Sequence, residues 1–382
     1  MRLDNLIAMS RKYGEGDAYV LAGGGNTSCK QGGLMAVKAS GVELGTIREA
    51  GFVFMDVDAL RRMPGGEYPD GDDEREAKAI KDMMAARLPG QGDKRPSVEC
   101  ILHALFEQAY VLHLHPALAN GMTCGARGEE CAAKAFGSDS LWIPLTKPGL
   151  VLGRACKTAL ERHRDSAGKA ASVVFLQNHG IFAAADTVDG IDAIMETVMG
   201  ALAERVKRKP DMAESARGDT AEQCPGAAEA SRALAALSGA AAAVSHSCNR
   251  EILAYAQSAE TMSPLMKPFT PDHIVYCKAA PLYAESVDGI GAAYEAFAGQ
   301  RGYAPRVAVV KGLGAFGIGI GADAGVNART ADTALRVFMD AVRVAVYSES
   351  FGGPMGLDAA FMDFILNWEI ESYRERKSLS GA

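Results

Sequence analysis

At 382 residues, 48% of them hydrophobic and 23% charged, the chain has an ordinary globular composition and a length that suits two domains. A formal net charge of −7, with Lys and Arg not gathered into a cluster, argues against a basic face for nucleic acid. No stretch of about 18 uncharged apolar residues argues for a membrane span.

The first fourteen residues carry Asp4 inside an apolar stretch and lack a small-residue cleavage site, so they read as an amphipathic helix and not as a signal peptide. Eight scattered cysteines without a CxxC pair argue against a disulfide framework and a cysteine-type zinc site, and for a reducing, cytoplasmic home. Short β-like runs at 35–39, 52–56, 110–114 and 172–176 alternate with helical stretches at 74–87 and 187–206, which is an α/β pattern. Residues 210–248 are rich in Ala, Gly, Ser and Glu and read as a linker or a mobile helical connection, giving a first domain over 1–209 and a smaller α/β domain over 249–382. In that second part a strand is expected at 274–278, a helix at 289–298, a strand at 307–311, and helices at 329–348 and 358–376.

The glycine-rich segment YVLAGGGNTSCK moves from an apolar β-like run into Gly23, Gly24 and Gly25, then Asn26, Thr27 and Ser28. Glycines let successive N–H groups point into one concavity, so the segment is a candidate anion cradle, with the turn at Ser40 and Gly41 and a helix start near Ser97 completing it. A plain tight turn would look similar. No Walker lysine pattern is present, so a nucleoside triphosphate is not implied. The helix start also carries Glu99, a carboxylate with first-turn dipole reasons of its own to be there.

In AYVLHLHP, His113 and His115 stand at i and i+2 on a strand ended by Pro116, so they share one face and can converge on one ion. His179 follows the apolar run SVVFL at another strand end. Three imidazoles leave coordination positions open, which suits a catalytic zinc or similar divalent metal better than a structural one. Of the other histidines, His103 reads as a core or supporting residue, His163 and His246 as solvated, and His273 as capping or orienting a strand. GxGxxG at Gly312, Gly314 and Gly317 follows a strand, but glycines continue at Gly319 and Gly321 where a dinucleotide-binding helix should begin. It reads as a hairpin, and no nicotinamide is expected.

GGGNTS, KASG, PSVE, HLHP and QNHG occur in the order seen in the class II aldolase/adducin family, over roughly residues 1–208. The chain most resembles the aldolase portion of rhamnulose-1-phosphate aldolase/short-chain dehydrogenase fusions, a likeness that extends through TPDHIVYCK and VKGLGAFG. The resemblance implies an αβα sandwich around a mostly antiparallel sheet and a homo-oligomer, usually a tetramer. It implies metal held by His113, His115, His179 and Glu99, with Glu99 as acid/base, and a phosphate held by Gly25, Asn26, Thr27, Ser28, Ser40, Gly41 and Ser97. The activity implied is cleavage of a ketose 1-phosphate to dihydroxyacetone phosphate and a short aldehyde through a metal-stabilised enediolate. A pentulose-phosphate 4-epimerase and a non-catalytic adducin-like scaffold are the alternatives. The chain ends without the fusion's dehydrogenase, so that activity is not expected.

Overall fold

The computed structural model describes residues 3–213, 224, 226–369, 373, 376 and 377. Its first sheet has seven strands: β1 (Asn26–Gln31), β2 (Leu34–Lys38), β3 (Phe52–Asp56), β4 (Tyr110–Leu114), β5 (Ser140–Ile143), β6 (Val173–Leu176) and β7 (Gly180–Ala185). They lie in the order β3-β2-β1-β4-β7-β6-β5, antiparallel throughout except for β5 beside β6. Strand alternation puts Met35, Val37, Val111, Phe182 and Ala184 on one face, in a core with the Cys100–Leu105 and Leu150–Ala167 helices. Ala36, Leu112, Leu114, Ile181 and Ala183 face the other way, against the Asp4–Gly14 and Val188–Arg205 helices. The result is an αβα sandwich.

A second sheet holds β8 (Ala243–Ser247), β9 (Leu282–Ala284), β10 (Val307–Val310) and β11 (Gly314–Gly319) in the order β8-β11-β10-β9. One face packs on the long Ala324–Ser348 helix and the other on the Ala227–Ser238 and Ile290–Arg301 helices. The long helix also joins the two halves: at Gly121 an added Cβ would lie 2.3 Å from the Tyr347 Cβ, so the Ala117–Thr123 helix reaches it only through glycine.

Most expected elements are present, with four corrections. The 210–248 stretch is not a loose connection throughout, because Ala227–Ser238 is a helix and Ala243–Ser247 is an edge strand; Ala227, Ala230 and Leu234 of the helix and Val244 of the strand pack into a core with the second sheet. Cys224 and Cys248, brought into that same core, form a disulfide, while six other cysteines are free. The apolar run at 274–278 is not a strand. It belongs to the Pro271–Cys277 helix, started by Thr270, whose hydroxyl accepts from the His273 N–H, and by proline at the first helical position. Finally, the glycines at 23–25 precede strand β1 instead of following one.

The Gly312–Gly321 segment is the expected hairpin, with β10 and β11 paired antiparallel. The expected helix at 358–376 is found over Ala359–Asn367, capped by Asp358; residues 370–372 and 374–375 lie outside the described residues. Among the described residues no helix is long and apolar enough to cross a membrane.

Candidate active site

The site lies where β1, β4 and the β6–β7 turn meet. His113 is the fourth residue of β4, and alternation turns it towards the face that holds Phe182, whose ring stacks on its imidazole 4.1 Å away. His115 follows two residues later on the same side. His179 stands in the tight turn between β6 and β7, made possible by Asn178 in the left-handed region at φ 55°. One nitrogen from each of the three rings lies within 4.8 Å of the others. Glu99 holds the N-cap position of the Cys100–Leu105 helix, without a capping bond from its side chain, instead of lying in the first turn, because the helix begins later than the sequence suggested. Its Oε1 lies 3.1 Å from Nε2 of both His113 and His179. The four expected metal-site residues are thus brought together.

The hydrogen bonds around them fix which atoms face inward. His113 Nδ1 donates to the Ile181 carbonyl at 3.0 Å, since a carbonyl can only accept. His115 Nδ1 lies 2.5 Å from the Asp272 carboxylate and donates to it. In the neutral imidazoles each Nε2 then carries the lone pair, and the two Nε2 atoms are 2.9 Å apart. Glu99 Oε1 is buried and makes no hydrogen bond among the described residues, although Oε2 accepts from Asn26 Nδ2 at 2.6 Å. Electron-rich atoms aimed at one point in a buried place are stable together only with a cation between them. Three imidazoles and a carboxylate fit zinc or a neighbouring transition ion, and they leave room for a further ligand.

Burial disfavours charge on Glu99, but His113 and His179 outweigh it and hold the carboxyl well below the usual carboxylate range. Burial pushes the His113 imidazole down to about 4. The protein alone thus presents a carboxylate and a neutral imidazole, the protonation states a metal needs.

Gly25, Asn26, Ser40, Gly41, Ser97, Glu99 and His179 line one narrow cleft. Gly25 and Gly41 hold φ values of 60° and 80° there, positions that favour glycine. Asn26 spends its side chain inside the protein, donating to Ser97 Oγ and Glu99, so it holds the carboxylate in place. Thr27 and Ser28 stand behind the cleft wall, in strand β1, and do not line it. Thr27 pairs with the Ser10 hydroxyl, and Ser28 bonds His103 Nδ1 at 2.7 Å. His103, fully buried and bonded to Asn26 as well, is the supporting residue expected.

The other histidines depart from expectation. His163 is buried, and His246 lies on β8, where it bonds the Leu313 carbonyl and stacks on Phe316. His273 orients a helix, pairing with Asp340 at 3.2 Å.

Four site residues escaped the sequence reading. Lys38 lines the cleft with only 2% of its surface exposed, its ammonium donating to the Gly23 and Val42 carbonyls. A lysine ending an apolar strand beside the KASG turn was the available signal. Pro271 also lines the cleft, Asp272 holds His115, and the Tyr276 hydroxyl accepts from the Gly23 N–H. All three come from TPDHIVY, which begins 91 residues beyond His179, and nothing local ties them to the histidines.

The fold and the site together define an αβα-sandwich protein with a buried centre of three histidines and one carboxylate. The chain belongs to the class II aldolase and adducin N-terminal domain family, whose model matches residues 4–203. It is 25% identical over 189 residues to the uncharacterized oxidoreductase YuxG of Bacillus subtilis (strain 168), which covers 47% of this chain and 26% of that one. The chain thus spans about a quarter of that relative's length. Among solved structures it is similar to the N-terminal class II aldolase domain of a conserved protein from Thermoplasma acidophilum, at 23% identity and a TM-score of 0.46 over 53% of this chain and 93% of that one. It is also similar to the L-fuculose-1-phosphate aldolase of Thermus thermophilus, at 17% identity and a TM-score of 0.31 over 52% and 93%.

Proposed function

We propose that this chain is a zinc-type class II aldolase that cleaves a ketose 1-phosphate to dihydroxyacetone phosphate and a short aldehyde, working as a homo-oligomer, a tetramer. The observation that carries the reading is the convergence of Nε2 atoms from His113, His115 and His179 with Glu99 Oε1 at one buried point, in a chain of this family. His113, His115, His179 and Glu99 would hold the ion. When bound, a divalent cation supplies Lewis acidity, stabilising the negative charge that develops on the substrate oxygens as the bond breaks.

The chain's own residues do the rest. Gly25, Ser40, Gly41 and Ser97, with the Lys38 ammonium behind them, give the phosphate a wall of donors and positive charge. The third–fourth carbon bond breaks with its electron pair left on the third carbon; the fourth carbon's hydroxyl loses its proton and becomes the aldehyde. The third carbon takes a proton, and Glu99, its Oε1 released once substrate oxygens displace it from the ion, would carry that proton. The cleft has only about 20 Å³ of free volume, one water's worth, so a sugar phosphate enters as the walls at Val98, Pro148 and Pro271 move apart. Residues 249–382 supply part of that wall, through Pro271.

The test is to load the protein with zinc and measure dihydroxyacetone phosphate released from a panel of ketose 1-phosphates, with His113→Ala beside the wild type. Release that disappears in the variant is the expected result. Epimerised pentulose phosphate without triose release would transfer the site to the epimerase reaction, and a protein that never retains metal would make it a scaffold.

A further inference from the structure

The residue that orients His115 comes from the other half of the chain. The Pro271–Cys277 helix belongs to the part that carries the second sheet, yet it lies directly on the first domain's site. Three contacts tie this region down. The Asp272 carboxylate accepts from His115 Nδ1 at 2.5 Å; the Tyr276 hydroxyl accepts from the Gly23 N–H at 3.3 Å; and the Phe269 carbonyl, just before the helix, accepts from Asn178 Nδ2 at 3.0 Å. Each contact falls on a different part of the site: a histidine, the glycine loop, and the residue whose left-handed backbone turns the chain into His179. Gly24 is part of the same fit, since a Cβ there would stand 2.6 Å from Asp272 Oδ2.

We infer that Asp272 is a positioning residue for the metal centre: it fixes His115 in the tautomer and ring orientation that aims Nε2 at the ion, so that residues 4–203 do not hold the metal well without the rest of the chain. This rests on the metal-site reading above. His113 illustrates the division of labour. Its Nδ1 is held by a carbonyl of its own domain, Ile181, on the neighbouring strand β7. His115 lies just beyond the end of β4, past the last residue paired with β7, and its partner arrives instead from residue 272. A carboxylate in that place also makes the imidazole a stronger donor to a cation, and loss of such a partner typically weakens metal binding about 10- to 100-fold.

The experiment uses the full chain and Co²⁺ as a visible probe. Affinity is measured by competition with a chromophoric chelator, and the absorption spectrum of the bound ion is recorded for wild type, Asp272→Asn, Asp272→Ala and His273→Gln. The last loosens the same helix by disturbing the His273 ring's contacts with Asp340 and the Phe269 N–H, and leaves the His115–Asp272 pair in place. Expected is affinity about 10- to 100-fold weaker with an altered spectrum in Asp272→Ala, a smaller loss in Asp272→Asn, whose amide oxygen can still accept from His115, and wild-type affinity and spectrum in His273→Gln whatever its melting temperature. Wild-type affinity in Asp272→Ala overturns the inference and leaves the metal site standing. An equal loss in His273→Gln overturns it too, as it would reduce Asp272 to general support of the helix. A wild type that binds no Co²⁺ overturns both the inference and the metal reading.

Discussion

Two glycine-rich segments of this protein look alike as sequence and have opposite purposes. In the hairpin of β10 and β11 the glycines make room for a helix: an added Cβ at Gly317 would come within 2.0 Å of the Ala331 carbonyl oxygen, and at Gly319 within 1.8 Å of that of Asn327. Both neighbours are backbone of the Ala324–Ser348 helix, which therefore packs unusually close to the sheet. At Gly23–Gly25 the chain instead wraps the candidate active site, and a Cβ would meet the groups that build it, Asp272 at Gly24 and the His113 carbonyl at Gly25. A glycine run marks a close approach in either case; what approaches decides whether the run is packing or chemistry.

The comparison can be broken by substitution, and the site side carries the largest expected effect. Glu99→Gln keeps the shape but removes the proposed proton carrier, so kcat on the best ketose phosphate should fall about 10²- to 10⁴-fold while the thermal midpoint stays within a few degrees. Activity that survived would remove Glu99 from the chemistry. On the packing side, Gly319→Ala forces the long helix off the sheet and should cost about 1–3 kcal/mol in urea unfolding, with KM unchanged in the folded fraction. Gly25→Ala should do the reverse. Holding alanine at φ 60° costs about 1 kcal/mol, and KM for the phosphorylated sugar should rise roughly tenfold while that for its unphosphorylated counterpart stays put. Equal KM changes for both sugars would make Gly25 another packing glycine.

What was legible in the sequence follows the range of the interaction. His113 and His115 were readable because strand periodicity alone puts them on one face, and the antiparallel pairing of β1 and β4 then sets Asn26 opposite His113. The hairpin at 312–321 was readable because glycines continue where a helix would need other residues. The Pro271–Cys277 helix was misread since IVYC is β-like in composition; Thr270 and Pro271, strong helix-start residues, lie just upstream of the run and decide the outcome. Thr27 and Ser28 were assigned to the phosphate by adjacency to the glycines, but a strand turns neighbours to opposite faces and both hydroxyls were already taken by Ser10 and His103. Asp272 could not be assigned to His115 at all, because their meeting depends on how two halves of the chain pack.

The smallest expected effect concerns the support behind the site. Lys30 donates to the His103 carbonyl from a largely buried position, and burial, aided by Arg61, pushes its ammonium from 10.5 down to about 7. The unfolded chain therefore binds this proton more readily than the folded one between pH 7 and 10.5. Stability gained from Lys30 losing its charge is complete above pH 10.5 and is lost as pH falls to 7. Lys30→Met removes the buried charge, so it should stabilise the protein by on the order of 1 kcal/mol at pH 7, with the advantage shrinking towards pH 10. Urea midpoints of the two proteins at pH 7, 8.5 and 10 measure it. An advantage that did not change with pH would mean that the ammonium is well solvated, and that His103 and the Asn26–Glu99 chain in front of it rest on packing alone.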